Sequence, residues 1–568
     1  MDFQRNFLIV ALAVVSVLLL IAWQDDYNNP AAVTPTSTAA QPAAPGPVTN
    51  PVPSSENVES SDLAGLAPAG TATTADVPAV SATNTSGTIR VRTDVFDLQI
   101  SLSGGDIVDL NLPNFPASLQ TPDTPVRLMS SDSTTYVAQS GLVSAAGPDL
   151  PSGERAVYVA DSTDIQLVDG SGTLNVVLRS SRGNGVTIEK IYRFTRGDYL
   201  IGVTYRVNNA SAENWSGFLF GQIKRDGSGD PSHPGGGSFF STSPTYLGGA
   251  YKSREAVYNK ATFSDVNEAP LKQDMQGGWI AFIQHYFVSA WVPDQGKENH
   301  FFTRQNADGH YLFGFTSPQV SVAAGSQSEV TASFYAGPKN QDRLAEISEG
   351  LDLTVDYGWF WFISQPLLWL LVQIELIFGN WGVAIILLTV LVKVLFYYPS
   401  QVSYRSMAHM RRITPELTRI REEYKNDRQK QSQEMLALYK KEKINPLGGC
   451  LPILLQMPVF IALYWVLLES VELRQAPFML WITDLSVKDP YFVLPILMGI
   501  SMWIQTKLNP APPDPMQAKM LLWLPWVFTV FFLFFASGLV LYWLVNNILS
   551  IAQQWYITRQ IEREHAKP

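Results

Sequence analysis

The sequence predicts a polytopic α-helical membrane bundle of six spans, joined to a large extracytoplasmic antiparallel β-sandwich and a charged cytoplasmic helical hairpin. Three observations predict it. An apolar run opens the chain, and residues 87–345 fall into short β-rich runs broken by Gly, Asn and Asp. Residues 359–557 are then dominated by Leu, Ile, Val, Phe and Trp around one basic segment. At 568 residues the chain exceeds what one core needs, so two or more domains are expected. The net charge of -10 argues against a general nucleic-acid binder, and no specific DNA partner is expected. Cys450 is the single cysteine, which excludes an intrachain disulfide and a thiolate metal cluster.

Residues 1–27 contain Arg5 followed by an apolar run from Phe7 to Trp23, without a clear Ala-x-Ala site after it. These residues just reach across a bilayer core, so an uncleaved signal anchor is expected in preference to a cleaved signal peptide. Residues 28–86 are rich in Pro, Ala, Thr and Ser, with too little apolar surface to offset chain entropy, and read as a disordered tether.

In residues 87–345 Ile89, Val91 and Thr93 alternate with Thr88, Arg90 and Arg92, and "LNVVLRS", "VTIEKIYRF" and "LIGVTYRV" follow. This is the pattern of a sandwich. No HExxH, GxSxG elbow or paired carboxylates announce catalysis, and the histidines are scattered. "DGSGDPSHPGGGSFF" lacks the phosphate-loop pattern and reads as a surface loop, or as the rim of a ligand cleft. The domain reads as a binding or scaffolding module.

Residues 351–378, with Trp359, Phe360, Trp361, Pro366, Gln373 and Glu375, suit an amphipathic helix lying at the outer interface. A break near Gly379 and Asn380 then opens a membrane core over 379–557, with spans at 380–398, 451–468, 491–507, 520–535 and 538–556. Residues 400–450 hold 11 Arg or Lys against 6 Asp or Glu. Met410, Ile413, Leu417 and Ile420 fall at helical spacing there, "NDRQKQS" reads as a turn, and Met435, Leu436 and Leu438 mark a second helix. The basic excess assigns this hairpin and the tail 558–568 to the cytoplasm, where it also suits contact with anionic lipid. Both termini are then cytoplasmic.

Lys393 interrupts the oily stretch "IILLTVLVKVLFYYP" about five residues from its inner end, roughly 8 Å. One reading is snorkelling of the ammonium to the headgroups. The other is a polar, cytoplasm-open cavity, for which Thr389, Gln456 and a stripe of Asn546, Ser550 and Gln553 supply the groups. Such a cationic cavity would attract an acidic part of a visiting polypeptide. It would also fit a small anion transporter or a lipid-handling enzyme, while a scaffold for extracytoplasmic partners would rest on the sandwich. The chain lacks evident repeat halves, nucleophile, base and metal cluster, which weakens the transporter and enzyme readings.

The stretches "NPLGGCLPILLQMPVFIALYWVL", "SVELRQAPFMLWITDLSVKDPYFVLPILMG" and "PMQAKMLLWLPWVFTVFFLFFASGLVLYWLVNN" resemble the YidC/Oxa1/Alb3 family of membrane protein insertases, over nearly all of 359–555. The anchor, tether and sandwich resemble its Gram-negative bacterial form. The resemblance implies a periplasmic β-supersandwich like that of sugar-mutarotase-type proteins, without catalysis there. It implies a non-enzymatic insertase and chaperone of the cell inner membrane, without cofactor or metal. The implied partners are nascent membrane proteins, the Sec translocon, the ribosome, and the signal recognition particle with its receptor. It places Lys393, Thr389, Gln456 and Trp543 in a hydrophilic, client-binding groove, with the spans from Leu451 and Met520 as the exit slide. Relatives commonly carry arginine at 393 and often tyrosine at 543. Lysine keeps the charge but not the bidentate fork, and an indole donates a hydrogen bond without accepting one.

Overall fold

The structure, a computed structural model, describes residues 62, 63, 66, 87–132, 134–230, 245–442, 451–509 and 515–565. The expected signal anchor, the rest of the tether, the glycine-rich loop from 231, Cys450 and residues 566–568 lie outside the described residues.

Residues Thr88 to Pro338 build two facing sheets of eleven and nine strands. Among the described strands, strand-to-strand pairing is antiparallel except between Thr88–Arg92 and Asp164–Gln166. The alternation read from the sequence sets the layers, since Ile89 and Val91 are wholly buried while Arg90 faces out. Trp291, Phe301, Phe313, Phe315 and Phe334 fill the space between the sheets. Two short helices, α1 (Phe263–Glu268) and α2 (Gln341–Ile347), complete this domain. A Thr262–Asp265 capping box starts α1, and Asn340 caps α2 through Arg343 N.

Among the described residues eight α-helices follow. They are α3 (Trp361–Phe378), α4 (Trp381–Leu395), α5 (Tyr397–Glu423), α6 (Arg428–Lys441), α7 (Leu451–Glu469), α8 (Val493–Leu508), α9 (Pro515–Phe532) and α10 (Ser537–His565). The break between α3 and α4 has a local cause. Gly379 takes the left-handed conformation at φ 63, and the Asn380 side chain accepts from Val383 N at 3.0 Å.

Several boundaries differ from the sequence reading. Residues 351–360 form two 3-10 turns rather than the start of one helix, and α3 begins at Trp361. The outward face of α3 carries Trp361, Phe362, Trp369, Leu376 and Ile377, so it is largely apolar, unlike that of a conventional amphipathic surface helix. Ser364 contributes to this by turning inward to donate to the Ala462 carbonyl at 3.1 Å. By length and composition, Gly358–Phe378 is the one unbroken helix among the described residues long and apolar enough to cross a membrane. Helices α4 and α5, bent by 67° at the break between them, pass the same test only when taken together, as a broken span or a re-entrant turn, while shorter apolar helices occupy Leu454–Glu469, Val493–Leu508 and Ala518–Phe532.

The helix pair α5–α6 closes on Ile413, Leu417, Ile420 and Leu438, with Met410 and Met435 against them, whereas Leu436 is exposed. The turn is shorter than "NDRQKQS", because Asp427 accepts from Lys430 N at 3.0 Å and starts α6 at Arg428. Helix α10 runs past Tyr556 to His565, its extension held against α5 by Ile557 and Ile561 around Tyr404.

The two halves meet at a polar seam. Glu469, at the end of α7, pairs with Lys339 at 2.7 Å, with both side chains nearly inaccessible to solvent. His285 Nε2 donates to the Leu468 carbonyl at 2.9 Å. Arg474 and Gln475 donate to the Pro116 carbonyl at 2.7 and 3.1 Å.

A candidate binding site in the helical bundle

The site is built where α4, α7 and α10 meet. Helix α4 has almost no polar side chain to spare, so its buried Thr389 bonds back to its own helix, donating to the Ile385 carbonyl at 2.6 Å. One turn later Lys393 is half-buried, and its ammonium reaches across the bundle rather than along α4. It donates to Ser550 Oγ at 2.7 Å and to Gln456 Oε1 at 3.4 Å. The Gln456 amide in turn donates to Asn546 Oδ1, and Ser550 donates to the Asn546 carbonyl at 2.7 Å. Three helices therefore share one connected polar cluster inside an apolar core that includes Leu388, Val459, Leu463, Val540 and Tyr542.

The cation is matched only by dipoles. Among the described residues its hydrogen bonds go to neutral oxygens, and no carboxylate forms an ion pair with it. A recess lined by Lys393, Phe396, Ser400, Leu455 and Gln456 lies beside it, with room for about one water molecule. The arrangement is a polar seam with a shallow mouth.

The sequence-derived residues separate into groups. Lys393, Gln456, Asn546 and Ser550 come together. Thr389 lies one turn away and has its hydroxyl committed. Trp543 packs edge-on to Phe460 at 4.5 Å and against Phe532 at 5.3 Å, so its ring belongs to the contact between α7, α9 and α10. Gln553 is half-buried and donates at 3.4 Å to the Tyr397 carbonyl, beyond the end of the cluster.

The sequence reading missed Tyr542, whose hydroxyl lies 3.5 Å from Gln456 Nε2. Its signal was spacing, since 542, 546 and 550 follow one another at single-turn steps on α10. A second polar row was also missed. Asn547 donates to Ser501 Oγ at 3.1 Å and Gln554 to Asn509 Oδ1 at 3.1 Å, fastening α10 to α8 and the turn after it.

Chemically the cluster offers one positive charge, several neutral acceptors and donors, and a small opening, all between apolar helices. It can attract an anionic group and solvate polar ones.

A family model described as the YidC periplasmic domain matches residues 88–370, and one described as 60Kd inner membrane protein matches residues 373–564. A membrane protein insertase YidC of Stutzerimonas stutzeri is 53% identical over 570 residues, covering 100% of both chains. One from Pseudomonas putida strain W619 is 51% identical over 563 residues, covering 99% of each. Among solved structures, an active YidC insertase with its first transmembrane domain resolved matches at 17% identity and a TM-score of 0.37, over 84% of this chain and 93% of that one.

Proposed function

The chain belongs to the YidC family of membrane protein insertases, and from that premise we propose that the Lys393 cluster is where the polar flank of a client enters the bundle. The protein inserts, folds and assembles integral membrane proteins in the inner membrane, as a multi-pass protein with a periplasmic domain, and its work involves no covalent step. The finer reading takes six spans with both termini cytoplasmic, and the α5–α6 pair as a cytoplasmic hairpin receiving the emerging chain. Clients arrive from ribosomes, with the signal recognition particle and its receptor, or alongside the Sec translocon. Anionic lipid meets the basic face of the hairpin.

One observation carries the groove reading: the Lys393 ammonium is held inside the bundle by Ser550 and Gln456 alone, with no carboxylate to neutralise it among the described residues. Moving a charged flank through hydrocarbon costs several kcal/mol, on the order of 2.5 or more. A route halfway across through polar contacts shortens that path, and a fixed cation favours acidic flanks. The apolar segment of the client then moves sideways into lipid, which supplies about 0.8 kcal/mol per CH2. Thr389 and Trp543 then border this route, with α7 and α9 as the exit slide.

The test is insertion by the full chain in proteoliposomes, read as protease protection of an acidic translocated flank. Lys393→Glu is expected to lower protection about tenfold or more, equivalent to about 1.4 kcal/mol, and Lys393→Arg to keep it. Equal insertion by all three proteins would reject the charge role. Saturable flux of a small anion without any client would instead favour a transporter, for which the one-water recess gives little room.

A further inference from the structure

The tether read from the sequence contains just two leucines, Leu63 and Leu66, and no Ile, Phe, Met, Trp or Tyr between residues 28 and 86. Both leucines are buried, at 1% and 6% exposure. They lie one turn apart, joined by a hydrogen bond from Leu66 N to the Leu63 carbonyl, and so present one apolar face. That face sits on the outer side of the eleven-stranded sheet, against Val143, Phe220, Phe302 and Leu312. Neighbours in the same strands, Leu142, Leu219, Phe301 and Phe313, point the other way into the main core. The sheet is therefore apolar on both faces here, and its outer patch has a built occupant.

Asp62 fixes the register of that occupant. Its carboxylate accepts from Lys224 Nζ at 2.7 Å and from Asn306 Nδ2 at 2.8 Å. Its carbonyl accepts from Arg304 and, at 3.3 Å, from Gln222 Nε2. Lys224, Leu312 and Arg304 stand in one row across three adjacent strands, and Gln222, Gly314 and Phe302 in the next. Gly314 leaves the floor low, because a Cβ there would come within 2.7 Å of both Gln222 and Phe302 side-chain atoms. Burial alone would raise the Asp62 carboxyl, but the bond and charge of Lys224, with Asn306 and Arg304, hold it below its ordinary value. Two basic residues, two amides and an apolar floor converge on one aspartate and two leucines.

We propose that this face is a peptide-binding site for an acidic residue followed by leucines at the next and fourth positions, and that Asp62, Leu63 and Leu66 fill it in cis. The clip competes with any periplasmic partner that carries the same acidic-leucine chemistry. Displacement would open the outer sheet face. The proposal is independent of client insertion, since it concerns the outer face of the sandwich alone.

The test uses the full chain in nanodiscs and a fluorescent peptide of sequence VESSDLAGLAPA, read by anisotropy to about 1 mM, the scale of effective concentration for a segment linked to its own site. The triple variant Asp62→Ala, Leu63→Ser, Leu66→Ser is expected to bind the peptide at least about tenfold more tightly than wild type. Adding Lys224→Glu should remove that gain. A peptide with Asp→Asn should lose binding without any change to the protein, which keeps the result separate from misfolding. Failure of the triple variant to bind, equal binding by wild type, or indifference to both charge changes would overturn the proposal.

Discussion

Lys339 and Lys393 are both drawn out of bulk water, and their surroundings differ in one respect. Lys339, at the seam between sandwich and bundle, has the Glu469 carboxylate 2.7 Å away. Lys393, inside the bundle, has a serine hydroxyl and a glutamine amide. A cation neutralised by a buried partner acts as a fastener, because either member alone is a stranded charge. A cation matched only by neutral dipoles retains attraction for a carboxylate that arrives later. On the function proposed above, the first site fastens the two halves and the second receives a client.

The largest effect that would break this comparison lies at the seam. Glu469→Ala leaves Lys339 buried without its carboxylate and is expected to cost about 3–5 kcal/mol, read as a loss of thermal stability of the purified protein. Lys339→Met with Glu469→Leu should recover most of the loss, since an apolar pair of similar volume removes both charges. If Glu469→Ala melts like wild type, the seam is no fastener and the contrast with Lys393 falls.

A third lysine sharpens the comparison inside the sandwich. Lys190 is fully buried, donating to the Gly104 and Ser140 carbonyls at 3.1 and 3.0 Å. Around it stand Asp106, Asp149, Arg155, Tyr158, Tyr192 and Tyr205. Burial, reinforced by the Arg155 charge and opposed by the Asp106 and Asp149 charges, lowers its pKa from 10.5 to about 7. Below pH 7 both folded and unfolded chains carry the proton, and between 7 and 10.5 the unfolded chain binds more. Stability of the domain should therefore rise with pH across that window, by about 1 kcal/mol per unit. Melting temperatures at pH 7 and pH 9 check this, and Lys190→Met should flatten the rise. A wild-type slope of zero would mean the ammonium stays charged in the fold.

Removing the charge at Lys393 should do the reverse of removing Glu469. In Lys393→Met, Ser550 still donates to the Asn546 carbonyl and Gln456 to Asn546, so no partner is stranded. Stability is expected to hold or to rise by about 1 kcal/mol, while insertion of an acidic-flanked client falls. A marked loss of stability instead would make Lys393 structural, and the two lysines alike.

Much of this was legible in the chain because it rests on local pattern. Alternation at Ile89 and Val91 marks the sandwich, Gly379 and Asn380 mark the helix break, and Lys393 stands out by its cost in an apolar helix. What the sequence concealed depends on contacts far apart in the chain. Lys339 and Glu469 stand 130 residues apart, and nothing local in the chain marks them as a pair. Leu63 and Leu66 read as incidental in a polar tether until the outer sheet face is seen beneath them. Trp543 and Asn546 sit on one helix, yet which of them meets Gln456 depends on the rotation of α10, which α7 and α9 decide through Phe460 and Phe532.

The smallest predicted effect separates a cluster from a stripe. Asn546, Ser550 and Gln553 look equivalent by helical spacing, but Ser550 is 4% exposed and 2.7 Å from the Lys393 ammonium, whereas Gln553 makes one 3.4 Å bond at the surface. Ser550→Ala removes a charge-assisted acceptor and should weaken both stability and acidic-flank insertion by about 1.5 kcal/mol, roughly tenfold in the equilibrium. Gln553→Ala should stay within about 0.5 kcal/mol of wild type in both assays. Equal effects would mean that the whole polar face of α10 acts together, as in a broad wet channel. Unequal effects in this order localise the attraction to the few ångströms around the ammonium, where the open cation differs from the fastened one.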